Sequence, residues 1–384
     1  MRLLYISEYF PTSQKLDYKG GVEARLTQVV SRLSASHQIS VVTSNIGTKK
    51  ETLYGADIYR CGPKIKYDLA PSIFERLMFV VSAINTALKI DADIIEGTDY
   101  VAHFVAWIVG KLKRKPIVAW YPDVFIGSWI KNMGLFSGIF GAILEKFNLS
   151  MTWNGIIAIS GVTRDKLTHQ GVEKKKIIVI ACGVDLGYLS KSPKVSPRSF
   201  SFICVSRLVK YKQVDRLINA LKSREKELGD FTFTIIGSGP QLKQIKNTIK
   251  NYKLQKRIKI MGFIDSHKDV LKNIKKSSLL VHPSSVEGFG IVLVEAMAQH
   301  TPYIAFKIPA IAEITNNGKG GVLINPFDFD DFVTTIIKFK NNKDYYQNKS
   351  KEASSLVKKY DWQKIADETL NYYQKIYDKN RNSI

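Results

Sequence analysis

The stretch Ser285-Val286-Glu287-Gly288-Phe289-Gly290-Ile291-Val292-Leu293-Val294-Glu295 decides how this chain is read. Its first carboxylate stands directly before a Gly-Phe-Gly turn, and its second lies eight residues further on. The turn opens an apolar run, Ile291 to Val294 and then Ala296-Met297-Ala298, which predicts a buried helix. Glycines 288 and 290 let the backbone approach a ligand closely, and the free N–H groups of a helix start favour an anion. Glu287 then sits in the loop before the helix, while Glu295 lies more than one turn inside it, at about 100° of rotation per residue. One acid is expected to face the reacting end of a ligand and the other a more distant part of the same ligand. The ligand suited to this arrangement is long, polar and phosphorylated.

The surroundings place the pair at a strand-to-helix turn. Leu279-Leu280-Val281 before it and Thr301-Pro302-Tyr303-Ile304-Ala305 after it read as strands. The same alternation runs through the chain. In the first half, strands are expected at Arg2–Ser7, Ile39–Thr43, Asp57–Arg60, Asp93–Glu96, Pro116–Trp120, Gly155–Ile159 and Ile177–Ile180, with helices between them. A polar, proline-bearing segment around Lys191–Phe200 reads as a linker. A second series starts at Ser201-Phe202-Ile203-Cys204-Val205. The fold class is therefore α/β, with two Rossmann-like doubly wound domains, one over residues 1–190 and one over 200–362. Such sheets place ligands beyond the carboxyl ends of their strands, so the site is expected in a cleft on which the two domains face.

Length and composition narrow the function. At 384 residues and 45% hydrophobic content, two packed domains are expected and disorder is not. Cys61, Cys182 and Cys204 are too few and too scattered for a disulfide framework, and they lack metal-ligand spacing. Met1-Arg2-Leu3-Leu4-Tyr5-Ile6 meets Ser7-Glu8 too early for a signal peptide, and no apolar run is long enough to span a bilayer. The formal net charge of +23 points to an anionic partner. Lysine is spread along the chain without any zinc-finger, RNP-like or basic-zipper pattern, which argues against nucleic acid. A phosphorylated substrate and an anionic membrane surface remain. The apolar, Lys-bearing stretches Ser128–Phe140 and Tyr67–Leu88 suit either core or interfacial helices.

Several further motifs carry chemistry. Gly20-Gly21 opens the first helix, where N–H groups can meet a diphosphate. Val205-Ser206-Arg207-Leu208-Val209-Lys210-Tyr211-Lys212 is a strand end followed by a basic loop, suited to neutralising a departing diphosphate. Gly237-Ser238-Gly239-Pro240 is a glycine turn after a strand, without the third glycine of a dinucleotide fingerprint. Gly262-Phe263 follows another strand, as does Tyr121-Pro122-Asp123 in the first half. Asp91-Ala92-Asp93 has metal-binding spacing but stands before its strand, at the wrong end for a parallel-sheet site, and reads as a helix-to-strand turn. No metal or other cofactor is expected.

Taken together, Pro283-Ser284-Ser285-x-Glu287-Gly288-Phe289-Gly290-x4-Glu295 resembles the Glu-x7-Glu signature of retaining glycosyltransferases of the family-4 type, which have the GT-B fold. The resemblance extends over nearly the whole chain and is strongest from 200 to 326. It implies a nucleotide-sugar donor carrying UDP or GDP, with Glu287 on sugar hydroxyls and Glu295 on the ribose. It implies Arg207 and Lys212 on the leaving diphosphate, where Ser206 replaces the family's glycine. Gly20, Gly21, Gly237, Gly262, Phe263, Gly288, Phe289 and Gly290 would shape the donor site. Tyr121 stands where many relatives carry a histidine, so either Tyr121 or Asp123 is expected on the acceptor side. The last helix, about 363–384, is expected to cross back onto the first domain. The acceptor is expected to be a glycan or a polyprenyl-linked sugar at the cytoplasmic face of the cell membrane, with the protein peripheral there. Two rival readings are a GT-B-fold nucleotide-sugar epimerase and a non-catalytic basic nucleic-acid or scaffold protein.

Overall fold

The computed structural model describes residues 1–14, 20–46, 49–64, 73–189 and 200–382. The chain forms two compact units, Met1–Cys182 with Trp362–Ile384, and Gly183–Asp361. The boundary lies earlier than the sequence placed it. Val184 donates its backbone N–H to the Tyr360 carbonyl at 2.6 Å and pairs with Asp361, so the segment after Cys182 already belongs to the second unit. Of the linker expected over 191–200, residues 191–199 lie outside the described residues.

The first unit is built on strands β1 Arg2–Ile6, β2 Gln38–Asn45, β3 Lys50–Leu53, β4 Ala56–Lys64, β5 Ile94–Gly97, β6 Ile117–Tyr121, β7 Gly155–Ala158 and β8 Ile177–Val179. Their order in the sheet is β3-β4-β2-β1-β5-β6-β7-β8. All neighbours run parallel except β3, which pairs antiparallel with β4. The runs Leu3-Leu4-Tyr5-Ile6 and Ile117-Val118-Ala119-Trp120-Tyr121 are buried throughout, as a sheet covered on both faces requires. Strand β3 was not expected, because Lys50-Glu51-Thr52 has no apolar signal. It exists because Tyr54 and Gly55 both take positive φ, the condition for a two-residue hairpin turn whose twist matches its strands.

Helices α1 Gly21–Leu33, α2 Ile73–Ala87, α3 Tyr100–Lys113, α4 Trp129–Met133, α5 Leu135–Ser150 and α6 Gly161–His169 connect these strands. Right-handed crossovers put α2, α3, α5 and α6 on one face of the sheet and α1 on the other, because the chain runs from β1 to β2 in one direction and onward from β4 in the opposite one. Asp99 caps α3 by accepting from the backbone of Val101 and Ala102. Asp91 and Asp93 bind the Arg2 guanidinium at 2.5 and 2.9 Å, so this pair ties the start of β5 to that of β1.

The second unit holds β9 Ser201–Val205, β10 Thr232–Ile236, β11 Ile258–Gly262, β12 Leu279–His282, β13 Tyr303–Phe306 and β14 Gly321–Ile324. They form an all-parallel sheet in the order β11-β10-β9-β12-β13-β14. The connecting helices are α7 Leu186–Leu189, α8 Val214–Ser223, α9 Glu225–Leu228, α10 Leu242–Asn251, α11 His267–Lys276, α12 Ile291–Ala298, α13 Pro309–Ile314, α14 Phe329–Asn341 and α15 Lys343–Leu356. Strand order reverses between β9 and β12, which makes the loops after these two strands the walls of the crevice in a doubly wound sheet.

The final helix, α16 Trp362–Arg381, returns to the first unit and packs on α1, as the resemblance implied. A buried polar cluster fixes it there. Arg25 of α1 forms an ion pair with Glu96 of β5, and the Tyr373 hydroxyl of α16 donates to Glu96 Oε2. The Arg25 guanidinium also lies over the Trp120 ring, 5.2 Å from its centroid. No described helix is long and apolar enough to cross a membrane.

Candidate active site

The chemistry-bearing residues of the second unit gather at the switch point of its sheet. Strand β9 ends at Val205 and feeds the basic loop; strand β12 ends at His282 and feeds the Glu287 turn. The two loops are stitched together, because Ser285 donates to the Tyr211 carbonyl from its backbone N–H at 2.8 Å and from its hydroxyl at 3.1 Å. That pairing brings Lys212 Nζ into an ion pair with Glu287 Oε1. His282 Nε2 reaches the same oxygen at 2.6 Å. Among the described residues, no hydrogen bond falls on Glu287 Oε2.

Both members of the ion pair are largely buried, with side chains 11% and 13% exposed for Lys212 and Glu287. Burial by itself pushes the Glu287 carboxyl up, but the Lys212 charge and the hydrogen bonds from His282 and Lys212 outweigh it. The carboxyl stays well below its usual range and is ionised at neutral pH. Burial holds His282 below the usual imidazole range in spite of Glu287, so the ring is a neutral Nε2–H donor there.

Tyr211 organises the rest of the basic loop. Its hydroxyl accepts from Arg207 Nη2 at 2.9 Å, and its ring lies 5.5 Å from Lys212 Nζ. Arg207 itself is exposed. The structure thus brings Glu287 and Lys212 into direct contact and connects Arg207 to them through Tyr211.

Helix α12 is short and apolar on every side, and all of it after Ile291 is buried. Glu295 is the one charged residue within it, and its Oε1 lies 3.1 Å from Nε2 of His267, at the start of α11. Gly290 is the N-cap of α12 at φ 97°, where a Cβ would meet Ile311 Cδ1 at 2.6 Å. The helix start accordingly has no side-chain cap, the condition under which its first N–H groups can meet a ligand anion. Phe289 departs from a ligand-contacting role in its side chain. Its ring is buried edge-on against Tyr360 at 5.8 Å, which leaves only its backbone toward the turn.

Gly237 and Gly262 meet at the ends of β10 and β11, where the Gly237 N–H donates to the Gly262 carbonyl at 2.7 Å. Gly237 sits at φ 136°, and a Cβ there would stand 1.9 Å from the Ser206 carbonyl. Close approach of this turn to the β9 loop therefore requires glycine. Gly237→Ala is expected to destabilise the protein by about 1–3 kcal/mol, read from urea unfolding; an unchanged midpoint would show that the two loops can separate freely. Phe263 follows and is 41% exposed.

The remaining candidates lie in the first unit. Gly20 is the N-cap of α1 and Gly21 its first residue, with open space around the Gly21 Cβ position. Lys19 lies outside the described residues. Tyr121 corrects an expectation. It is the last residue of β6 and not part of a loop, its side chain is fully buried, and its ring lies 4.5 Å from that of His103. Strand alternation turns it into the helix layer, where it packs with residues of α3. Asp123 is also buried, with Oδ1 accepting from Lys166 Nζ at 2.7 Å and from the Val124 N–H at 2.8 Å.

Sequence reasoning missed Tyr211, His267 and His282. His282 stands immediately before Pro283 in the segment that was read, but its aim at Glu287 depends on how the strand end and the turn fold back. Tyr211 stands uncharged within the basic loop, and its hydrogen bond to Arg207 depends on how that loop folds.

Comparison with known proteins settles the family. The family model of "Glycosyltransferase Family 4" matches residues 19–188, and that of "Glycosyl transferases group 1" matches residues 189–356. The chain is a glycosyltransferase of the family-4 type. An uncharacterized glycosyltransferase of Methanocaldococcus jannaschii is 27% identical to the enzyme over 98% of this chain and 99% of its own. The glycogen synthase of Mycobacterium tuberculosis is 26% identical over 71% of this chain and 68% of its own. Among solved structures, Anabaena HepE in complex with UDP and glucose superposes with TM-score 0.77 at 19% identity, covering 97% of this chain and 99% of that one. Sucrose-phosphate synthase from Thermosynechococcus elongatus superposes with TM-score 0.81 at 18% identity, covering 98% and 100%. The enzyme has the two-domain GT-B fold that these structures share.

Proposed function

We propose that the enzyme moves a hexose, with retention of configuration, from a UDP- or GDP-sugar to an acceptor hydroxyl. The observation that carries this reading is the Glu287 carboxylate, held by Lys212 and His282 through one oxygen with the other left for a hydroxyl donor. In this reading Glu287 holds hydroxyls of the donor sugar and Glu295, steadied by His267, holds the ribose. Arg207 and Lys212 stabilise the diphosphate as the bond from the anomeric carbon breaks. A bond to the acceptor oxygen forms on the same face, and the acceptor's proton leaves with the nucleotide diphosphate. The positive charge needed is supplied by these two side chains, so we read the reaction as metal-independent. The nucleotide assignment is supported by the UDP named with HepE. The acceptor we read as a lipid-linked glycan, reached at the cytoplasmic face of a membrane to which the protein is peripheral.

A panel of nucleotides and nucleotide sugars tests the donor. A ligand at 100 times its Kd stabilises the folded state by about 2.7 kcal/mol, so UDP or GDP is expected to raise the melting temperature. Failure of every nucleotide to do so, or formation of an epimerised donor without any acceptor, would overturn the assignment.

A further inference from the structure

The large hydrophobic side chains left exposed in this protein are not scattered. Of the fifteen found among the described residues, twelve lie in the first unit, all on α2, α3, α4 and α5. On α2 they are Ile73, Phe74, Leu77, Met78 and Val81, a helical stripe at spacings of three and four residues. On α5 they are Leu135, Phe136, Ile139, Ile143 and Phe147, a second stripe, with Ile130 on α4 just before it. Phe136 is 82% exposed and Phe74 is 71% exposed. Core formation does not explain these residues, because α2 and α5 already bury opposite sides containing Phe79, Ala83 and Gly141.

The stripes belong to one surface. Helices α2, α3 and α5 cover the same sheet face, and α3 packs between the other two. Lys113 of α3 donates to the Leu88 carbonyl beyond the end of α2 at 2.9 Å, and Phe104 of α3 meets Phe147 of α5 at 6.0 Å. Lysine dominates the exposed charge around α4 and α5, while α2 carries the half-buried Glu75 beside Arg76. Lys131, Lys146 and Lys111 are exposed, whereas the single acid of α4 and α5, Glu145, is buried and accepts from Trp129 Nε1 at 2.6 Å. Apolar residues framed by lysines fit the boundary between headgroups and acyl chains of an anionic bilayer. A soluble partner would have to match several hundred Å² of apolar surface; lipid requires no such match.

We infer that the exposed faces of α2 and α4–α5 are the surface on which this protein docks to anionic membrane. The inference rests on the membrane-peripheral part of the proposed function and gives it a location. Insertion would be shallow, led by Phe74 and Phe136, with Lys131 and Lys146 on lipid phosphates.

The test is sedimentation of the full chain with phosphatidylglycerol/phosphatidylcholine vesicles and with phosphatidylcholine vesicles alone. Binding is expected to the anionic vesicles and to weaken with salt. Phe74→Ser/Phe136→Ser and, separately, Lys131→Glu/Lys146→Glu should each lower the bound-to-free ratio by about tenfold or more. Because these side chains are exposed, melting temperature and stabilisation by UDP or GDP should not change, which separates failure of docking from failure of the donor assignment. Wild-type protein that ignores anionic vesicles, or variants that bind as well as wild type, would overturn the inference. So would a dimer in solution that the phenylalanine variant converts to monomer without any vesicle binding, since the surface would then belong to a second copy.

Discussion

Glu287→Ala is expected to lower sugar transfer by at least 10²–10³-fold, roughly the effect of removing one preorganised electrostatic group from a reacting centre. The measurement is the initial rate of transfer, or of donor hydrolysis, with the nucleotide sugar selected by thermal stabilisation. Alanine removes the partner of a largely buried lysine, so some stability will also be lost. Glu287→Gln separates the two effects, because the amide keeps the shape and can still accept from His282 and Lys212. If Glu287 holds the donor sugar as proposed, the glutamine variant loses less stability than the alanine variant and still transfers poorly. Near-wild-type turnover by both variants would remove Glu287 from the mechanism. The pH dependence has a defined sign. A carboxyl held below its unfolded value contributes stability that is fully present above about pH 4.5 and is lost as pH falls through the lower folded-state value. Glu287→Gln removes that contribution, so the gap between wild type and variant should be constant near neutrality and close only in strong acid.

Arg25→Leu is expected to give the largest loss of stability. The guanidinium is fully buried, yet Glu96 holds it charged, and Tyr373 completes the set from the last helix. Removing one partner leaves the Glu96 carboxylate buried and unpaired, at a cost of about 3–5 kcal/mol. For a unit of this size each kcal/mol lowers the melting point by about 2–4 °C, so calorimetry should show a fall of roughly 6–20 °C. Tyr373→Phe should cost less, about 1–3 kcal/mol, because the Arg25–Glu96 pair survives it. Arg25→Leu with Glu96→Leu should recover much of the loss. An Arg25→Leu variant that melts with wild type would mean that Glu96 finds water or another donor. The consequence would reach the architecture, since this cluster is a buried polar link between α16 and the sheet of the first unit.

Much of the fold could be read because parallel sheets write themselves as short apolar runs. Ser201–Val205, Leu279–Val281 and Tyr303–Ala305 are continuous hydrophobic stretches since both faces of their strands are covered. Strand β3 escaped because an edge hairpin is held by its turn and its partner and needs no apolar run. The boundary at Cys182 escaped for a related reason. Val184 joins the second unit through backbone hydrogen bonds to Tyr360, and backbone groups leave no mark on the sequence.

The candidate site divides along the same line. Glu287, Glu295, Arg207 and Lys212 were legible because loop position and charge announce them. Their contacts were not. Glu287 and Lys212 lie far apart in the chain, and only the reversal of strand order between β9 and β12 sets their loops side by side. The burial of Tyr121 was hidden for the opposite reason, since it stands next to a loop in sequence while the pleat of β6 turns it inward. By itself the sequence determined which groups carry charge, which glycines permit close approach, and which periodicities build two α/β sheets, because these are local properties. Tertiary structure alone decided that Lys212 and His282 converge on one oxygen of Glu287, that Tyr373 of α16 hydrogen-bonds to a buried Arg25–Glu96 ion pair, and that α2 and α5 keep apolar stripes uncovered. Each of these depends on distances between residues remote in the chain, which close only when the sheets order their strands.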